Sequence, residues 1–337
     1  GLMEYTGSEK FSAVLQVGTS SQDYQWEGFY TAAPDTKSRV VTVNGGYIKG
    51  GANYRANDNS NFFFNVGQIM RPPSFDGVFP NADYDFEEAD EILNESFTSF
   101  ELGYGFRSSN FKGTINAYHT VWGDRTLRRS TSIDDQGVRI IYSGVEQTHQ
   151  GIEGEMTWYP SSRLRVKGMF SLGDWKYTKN FQGDAYFIDN NQPAGTTGTL
   201  YLDGVKIGDA AQTVLYLGFD YKLTSKLSVD LDMMSYDNLH GRFGPLDSEF
   251  NSANNRGSIK LPSWGTADLG ATYSFNLLGY DARARLNVNN LFDEEYLSQS
   301  QTNFHNDGGR TWNGINVENN VYFGKGTTWN LGLNINF

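Results

Sequence analysis

Cysteine is missing from all 337 residues. That removes disulfide frameworks, thiol catalysis and zinc-thiolate centres together. Long hydrophobic runs are missing too: the densest apolar cluster is Phe62-Phe63-Phe64, far short of the roughly 18 residues of a spanning helix. Positive charge is in short supply, with 27 Lys and Arg against 39 Asp and Glu. A net charge of -12 argues against nucleic acid as a partner, because phosphate binding needs concentrated cations. The opening Gly1-Leu2-Met3-Glu4 carries neither the basic nor the apolar part of a secretory leader, as expected of a processed chain or of a piece of a longer polypeptide.

Catalytic and cofactor signatures are equally thin. The four histidines, His119, His149, His240 and His305, show no metal-binding spacing. Phosphate loops, dinucleotide fingerprints and nucleophile elbows do not occur, so no cofactor and no enzymatic activity is expected. Six acidic residues gather between Asp83 and Glu91 without the glycine and closing glutamate of a calcium loop.

Aromatic residues, by contrast, make up 15% of the chain and glycines number 38. Residues 327–337 alternate throughout, with Trp329, Leu331, Leu333, Ile335 and Phe337 on one face and Asn330, Gly332, Asn334 and Asn336 on the other. A dry face backed by a small or amidic one suits a wall between lipid and water. About twelve segments repeat this period of two. They include Phe100, Leu102, Tyr104 and Phe106, then Leu215, Leu217, Phe219 and Tyr221, and Ala267, Leu269, Ala271 and Tyr273. The opposite faces carry Lys112, Asn116, Glu153, Glu155, Arg165, Lys167, Asp220, Asp230, Asp232, Asp268, Arg283, Arg285, Asn287 and Asn289.

The connections alternate in length. Short ones fall at 57–61, 108–110, 160–163, 224–226 and 276–281; long ones fall near 18–45, 71–97, 122–151, 174–211, 237–264 and 293–326. Short periplasmic turns and long external loops are the habit of bacterial membrane barrels. Aromatics near strand ends (Trp158, Tyr159, Tyr221, Tyr273, Phe275, Trp329) fit interfacial girdles. The expected fold is all-β, a transmembrane antiparallel β-barrel with residues 1–337 forming one domain in the bacterial outer membrane. On this reading Glu153, Arg165, Asp220, Asp268, Arg283, Arg285, Asn287 and Asn289 line the lumen. Arg71, Phe79, Tyr84, Trp122, Trp175, Trp264 and Trp312, from the long loops and the upper lumen, are the candidate ligand-binding residues. Rings stack on flat ligands, and arginine supplies directed hydrogen bonds.

Three stretches carry a family resemblance. The run Arg285-Leu286-Asn287-Val288-Asn289-Asn290-Leu291-Phe292-Asp293-Glu294-Glu295-Tyr296, the hairpin Gly151-Ile152-Glu153-Gly154-Glu155 with Trp158-Tyr159-Pro160, and Arg71-Pro72-Pro73-Ser74-Phe75 resemble the C-terminal barrel of TonB-dependent outer-membrane receptors. The resemblance implies energised uptake of a scarce nutrient, a ferric siderophore first and an oligosaccharide second. It also implies that this chain supplies the last twelve strands of a 22-stranded barrel. The remaining strands and the plug, through which a TonB-type energy-coupling protein acts, would lie outside it. Outer-membrane lipid, a small-molecule cargo and a surface lipoprotein are the other implied partners. The alternative is a self-closed twelve-stranded barrel, either a passive porin or a phospholipase using outward-facing His119.

Overall fold

The computed structural model describes residues 1–28, 36–80, 88–89, 91–133, 135–190, 192–196, 199–244 and 247–336. One long antiparallel sheet dominates these residues, and thirteen strands form its wall in chain order. The first four are β1 (Leu2–Ser8), β2 (Phe11–Tyr24), β3 (Val41–Asn57) and β4 (Ser60–Arg71). Then come β5 (Glu95–Arg107), β6 (Phe111–Ile133), β7 (Gln136–Ser161) and β8 (Leu164–Tyr177). The last five are β9 (Thr213–Lys222), β10 (Leu227–Asp237), β11 (Trp264–Leu277), β12 (Tyr280–Asn289) and β13 (Thr328–Asn336). Each pairs with its sequence neighbour, and β1 and β13 do not pair with each other among the described residues. The sheet is therefore open there, unlike the self-closed ring of the alternative reading.

Two departures from the expected layout have local causes. β1 is an additional strand, hidden in the sequence because Leu2 and Met3 are adjacent apolar residues and blur the alternation. It pairs with β2 through Tyr5↔Ala13. The stretch 122–151 is not an irregular loop. β6 and β7 run on as a hairpin of 23 and 26 residues, well past the 9–11 that a bilayer needs. Two short strands, Gly183–Phe187 and Pro193–Thr196, extend the hairpin's free edge.

The two faces of the wall differ as period-two patterning requires. Leu102 is 61% exposed, Leu331 68% and Leu333 60%, and Ile48, Phe64, Phe100, Ile115, Ile152, Leu172 and Leu215 are exposed beside them. An apolar band this continuous demands a hydrocarbon solvent. At its external limit polar side chains take over: His119 Nδ1 meets Gln150 Oε1 at 3.1 Å, and Gln150 donates to Asp174 Oδ2 at 3.1 Å. The partner that His119 finds there is glutamine, not the serine of a lipid hydrolase.

The opposite face is concave. Lys167 of β8 reaches Asp232 of β10 across β9, and Arg285 of β12 reaches Asp230 of β10 across β11. Neighbouring strands lie about 4.8 Å apart, so these long side chains span the strand between them, where a glycine leaves the path open. Most buried apolar side chains gather in three small clusters, built from the outer ends of wall strands and the connections that join them. Tyr24, Trp26, Val41, Val78 and Phe79 form one. Val138, Ile140, Tyr142, Phe181, Leu202 and Phe250 belong to the second, and Leu239, Ile259, Leu261, Leu297 and Ile315 form the third. The long external connections therefore carry packed cores of their own.

Candidate functional site in the lumen face

The concave face holds a lattice of charges made possible by two glycines. Arg165 Nε donates to Asp220 Oδ2 at 2.9 Å, while Lys167 Nζ lies 3.4 Å from Asp220 and 3.2 Å from Asp232. The Tyr216 hydroxyl also donates to Asp232. Arg285 grips Asp230 with both terminal nitrogens at 2.8 and 2.9 Å and reaches Thr272 Oγ1 at 3.0 Å. Register sets Gly218 opposite Asp232 and Gly270 opposite Asp230. A Cβ on Gly270 would stand 2.1 Å from Asp230 Oδ2, and one on Gly218 2.6 Å from Asp232 Oδ1. Missing side chains thus make room for carboxylates to lean across a strand. Arg165, Lys167 and Arg285 balance Asp220, Asp230 and Asp232, so this stretch is strongly polar without net charge. Half-exposed pairs of this kind contribute about 0–1 kcal/mol each; what they secure is a wet, ordered surface.

The other expected lumen residues share this face. Glu153 accepts from Ser171 Oγ at 3.0 Å, and Asp268 from the Asn290 amide at 2.8 Å. Asn287 donates to Asn330 at 2.8 Å, Asn289 to Thr328 at 3.2 Å, and Arg283 is exposed on the same side of β12. Glu101 joins them, taking hydrogen bonds from Asn65 and Asn116 at 2.9 and 3.0 Å.

Nearer the external end, register brings several expected ligand residues onto one patch. Phe97, Trp122, Gln147 and Tyr177 form one row across β5 to β8. Ser99, Thr120, His149 and Trp175 form the row below it. Arg71 pairs with Glu95 and lies 5.5 Å from the Phe97 ring centre. Trp122 stacks on Phe97 at 5.0 Å and donates to Glu95 at 3.2 Å. Trp175 donates its indole N–H to the Tyr118 hydroxyl at 2.9 Å, and its ring centre lies 5.5 Å from that of His149.

The remaining candidates lie apart from this patch. Trp264 is sandwiched between Tyr236 at 4.0 Å and Tyr296 at 3.7 Å. Trp312 meets Phe323 edge-on at 5.1 Å and packs against the cluster around Leu261. Phe79 is 0% exposed inside the first loop cluster, which leaves it no surface to offer a ligand. It closes the short helix Phe75–Val78 and packs its ring with Tyr24, Trp26, Val41 and Val78 instead. Tyr84 lies outside the described residues.

Arg125 is the residue that sequence reasoning missed. Strict alternation from Trp122 would send it to the lipid side, yet its guanidinium lies 3.8 Å above the Trp122 ring. The signal was Gly123-Asp124, a pair suited to a bulge. Farther out, the loops tie themselves with ion pairs. Glu249 accepts from the Arg256 amide at 2.5 Å and from its guanidinium at 2.7 Å. The guanidinium holds the Glu249 carboxyl below its ordinary range.

Comparisons with known proteins agree with this architecture. No curated protein matches the sequence. Among solved structures, the ferric-catecholate import receptor Fiu from E. coli K12 superposes with a TM-score of 0.63 at 15% identity, covering 98% of this chain and 43% of that one. The siderophore receptor PiuA from Acinetobacter baumannii gives 0.66 at 14%, covering 97% and 40%. The copper transporter OprC gives 0.61 at 13%, covering 98% and 48%. The chain thus spans less than half the length of the receptors it resembles, and likeness at such identity speaks for the fold. The family model for the TonB-dependent receptor-like β-barrel matches residues 10–291. An apolar outer band, a charged concave face and that match together place the chain in the outer membrane, as a member of the TonB-dependent receptor β-barrel family.

Proposed function

We propose that this chain is the cargo-handling part of the barrel of an outer-membrane receptor that takes up a scarce nutrient by energised transport. Further strands pair with the free edges of β1 and β13, since unpaired backbone groups are untenable in hydrocarbon. A plug fills the lumen, and a TonB-type protein supplies energy through it. The cargo is a ferric siderophore before an oligosaccharide. The observation that carries this reading is the patch of Arg71, Phe97, Trp122, His149 and Trp175 at the external mouth of a polar lumen. It combines flat apolar surface with one guanidinium, that of Arg71, and the His149 imidazole, a pairing that suits an organic chelate of a metal ion. The cargoes named for similar structures, a ferric catecholate and a siderophore, favour the same class.

Accumulation of labelled cargo by cells carrying the full-length receptor tests the proposal. Uptake of a ferric chelate that saturates at low concentration, and vanishes in cells lacking the receptor, is expected. Uptake that rises linearly with concentration would mark a passive pore and overturn it.

A further inference from the structure

The outer mouth contains a cation that the wall goes to some trouble to position. Between Trp122↔Gln147 and Arg125↔Val145, β6 spends three residues against two of β7. Between Arg125↔Val145 and Leu127↔Tyr142, β7 spends three against two of β6. Two bulges of opposite sense therefore bracket Arg125. Asp124 adopts φ +57° at the first and Gly144 φ +70° at the second. The first returns Arg125 to the concave face, and the second, in β7, restores the pairing register between the two strands. Bulges that re-aim one side chain are characteristic of functional sites.

The side chain so aimed is held but not satisfied. Its guanidinium carbon lies 3.8 Å from the centre of the Trp122 ring, itself stacked on Phe97. Arg125 Nε is buried and has no hydrogen-bond partner among the described residues. Glu95, on the neighbouring strand, is already bound by Arg71 and by the Trp122 indole. Two residues along β7 from Gln147, the Trp122 partner, His149 Nε2 is likewise buried and unpartnered among the described residues. Two nitrogens able to donate thus stand on adjacent strands of one face, with the Trp122 and Trp175 rings beside them. Burying such groups unpaired is costly, and a planar guanidinium is built to receive two oxygens of an oxyanion at once.

We propose that Arg125 and His149 form an oxyanion-binding subsite at the external mouth, which receives a carboxylate or phosphate group of the cargo while Trp122 and Trp175 flank its organic body. The inference rests on the uptake reading above and narrows it: the preferred cargo is an anionic chelate, and a neutral oligosaccharide would leave both nitrogens without a partner. Arg125 sets affinity and selectivity by charge and fork geometry, and His149 adds a second, directed contact.

Titration of the purified full-length receptor with inorganic phosphate, read by tryptophan fluorescence, tests the subsite directly. Saturable binding is expected in the wild type. Arg125→Gln should weaken it at least ten-fold, and Arg125→Lys, which keeps the charge but loses the fork, should fall between. Arg163→Gln, in the short turn at the opposite end, should bind as the wild type does. Folding of each variant is checked by its heat-dependent gel mobility, and a misfolded Arg125→Gln leaves Arg125→Lys and His149→Gln to decide. Absence of saturable binding in the wild type, or wild-type affinity in the folded Arg125 variants, would overturn the subsite while energised uptake still stood. Uptake that proceeds without a proton-motive force would instead overturn the transport reading beneath it.

Discussion

Thr114 and Ile115 are neighbours in β6 whose substitution by arginine should have opposite consequences. Ile115 is 45% exposed on the apolar face, beside Tyr104 of β5 and Gly154 of β7. Phe111, next to the short turn, and His119, at the polar limit, each lie four residues from it. Eight residues at about 3.3 Å each, tilted by about 40°, span roughly 20 Å of the membrane normal, most of an apolar band about 25 Å tall. Ile115 thus sits near the midplane, where a lipid-facing arginine costs about 2–4 kcal/mol. Thr114 faces the lumen with its hydroxyl 3.4 Å from Glu155 Oε1. An arginine there stays in water beside a carboxylate, and its stability should remain within about 0.5 kcal/mol of the wild type. Guanidinium unfolding of the protein inserted in phospholipid vesicles, followed by tryptophan fluorescence, measures both. A Thr114→Arg loss equal to or larger than that of Ile115→Arg would refute the assignment of faces.

Three further outcomes follow from single contacts. Gly270→Ala should dislodge the Asp230 carboxylate from Arg285 and cost about 1 kcal/mol, since the pair is partly solvated; a double-mutant cycle with Arg285→Ala should show that the two losses do not add. Phe250→Ala should open the second loop cluster, a local loss of about 3–5 kcal/mol, and limited proteolysis should then cut the 178–212 connection while the wall stays intact. Acidification should release the loop held by Glu249. Because its folded pKa is depressed, the carboxyl contributes stability above the ordinary carboxylate value and loses it as pH falls through the folded one. Amide exchange at Arg256 should accelerate over that window in the wild type and not in Glu249→Gln.

The wall was legible because its information is local. A residue in a strand that separates lipid from water must alternate, and Leu102, Leu217, Leu269 and Leu331 do so without reference to the rest of the chain. Arg165, Asp220 and Arg285 could be assigned to the lumen for the same reason, but their partners could not. Those depend on register and on where Gly218 and Gly270 leave space. The outer loops obey no period, so Phe79, a plausible stacking ring in sequence, turned out to be the centre of a small core. β1 was overlooked because its seven residues alternate poorly, and Arg125 because one extra residue in a strand reverses the facing of all that follows.

Energised uptake is the claim on which the functional account depends. The most direct test is to follow a labelled ferric chelate in cells carrying the full-length receptor, before and after collapse of the proton-motive force. The account predicts that chelate still binds at the cell surface while entry stops. Entry that continues unchanged after collapse would contradict it and return the wall to the status of a passive pore.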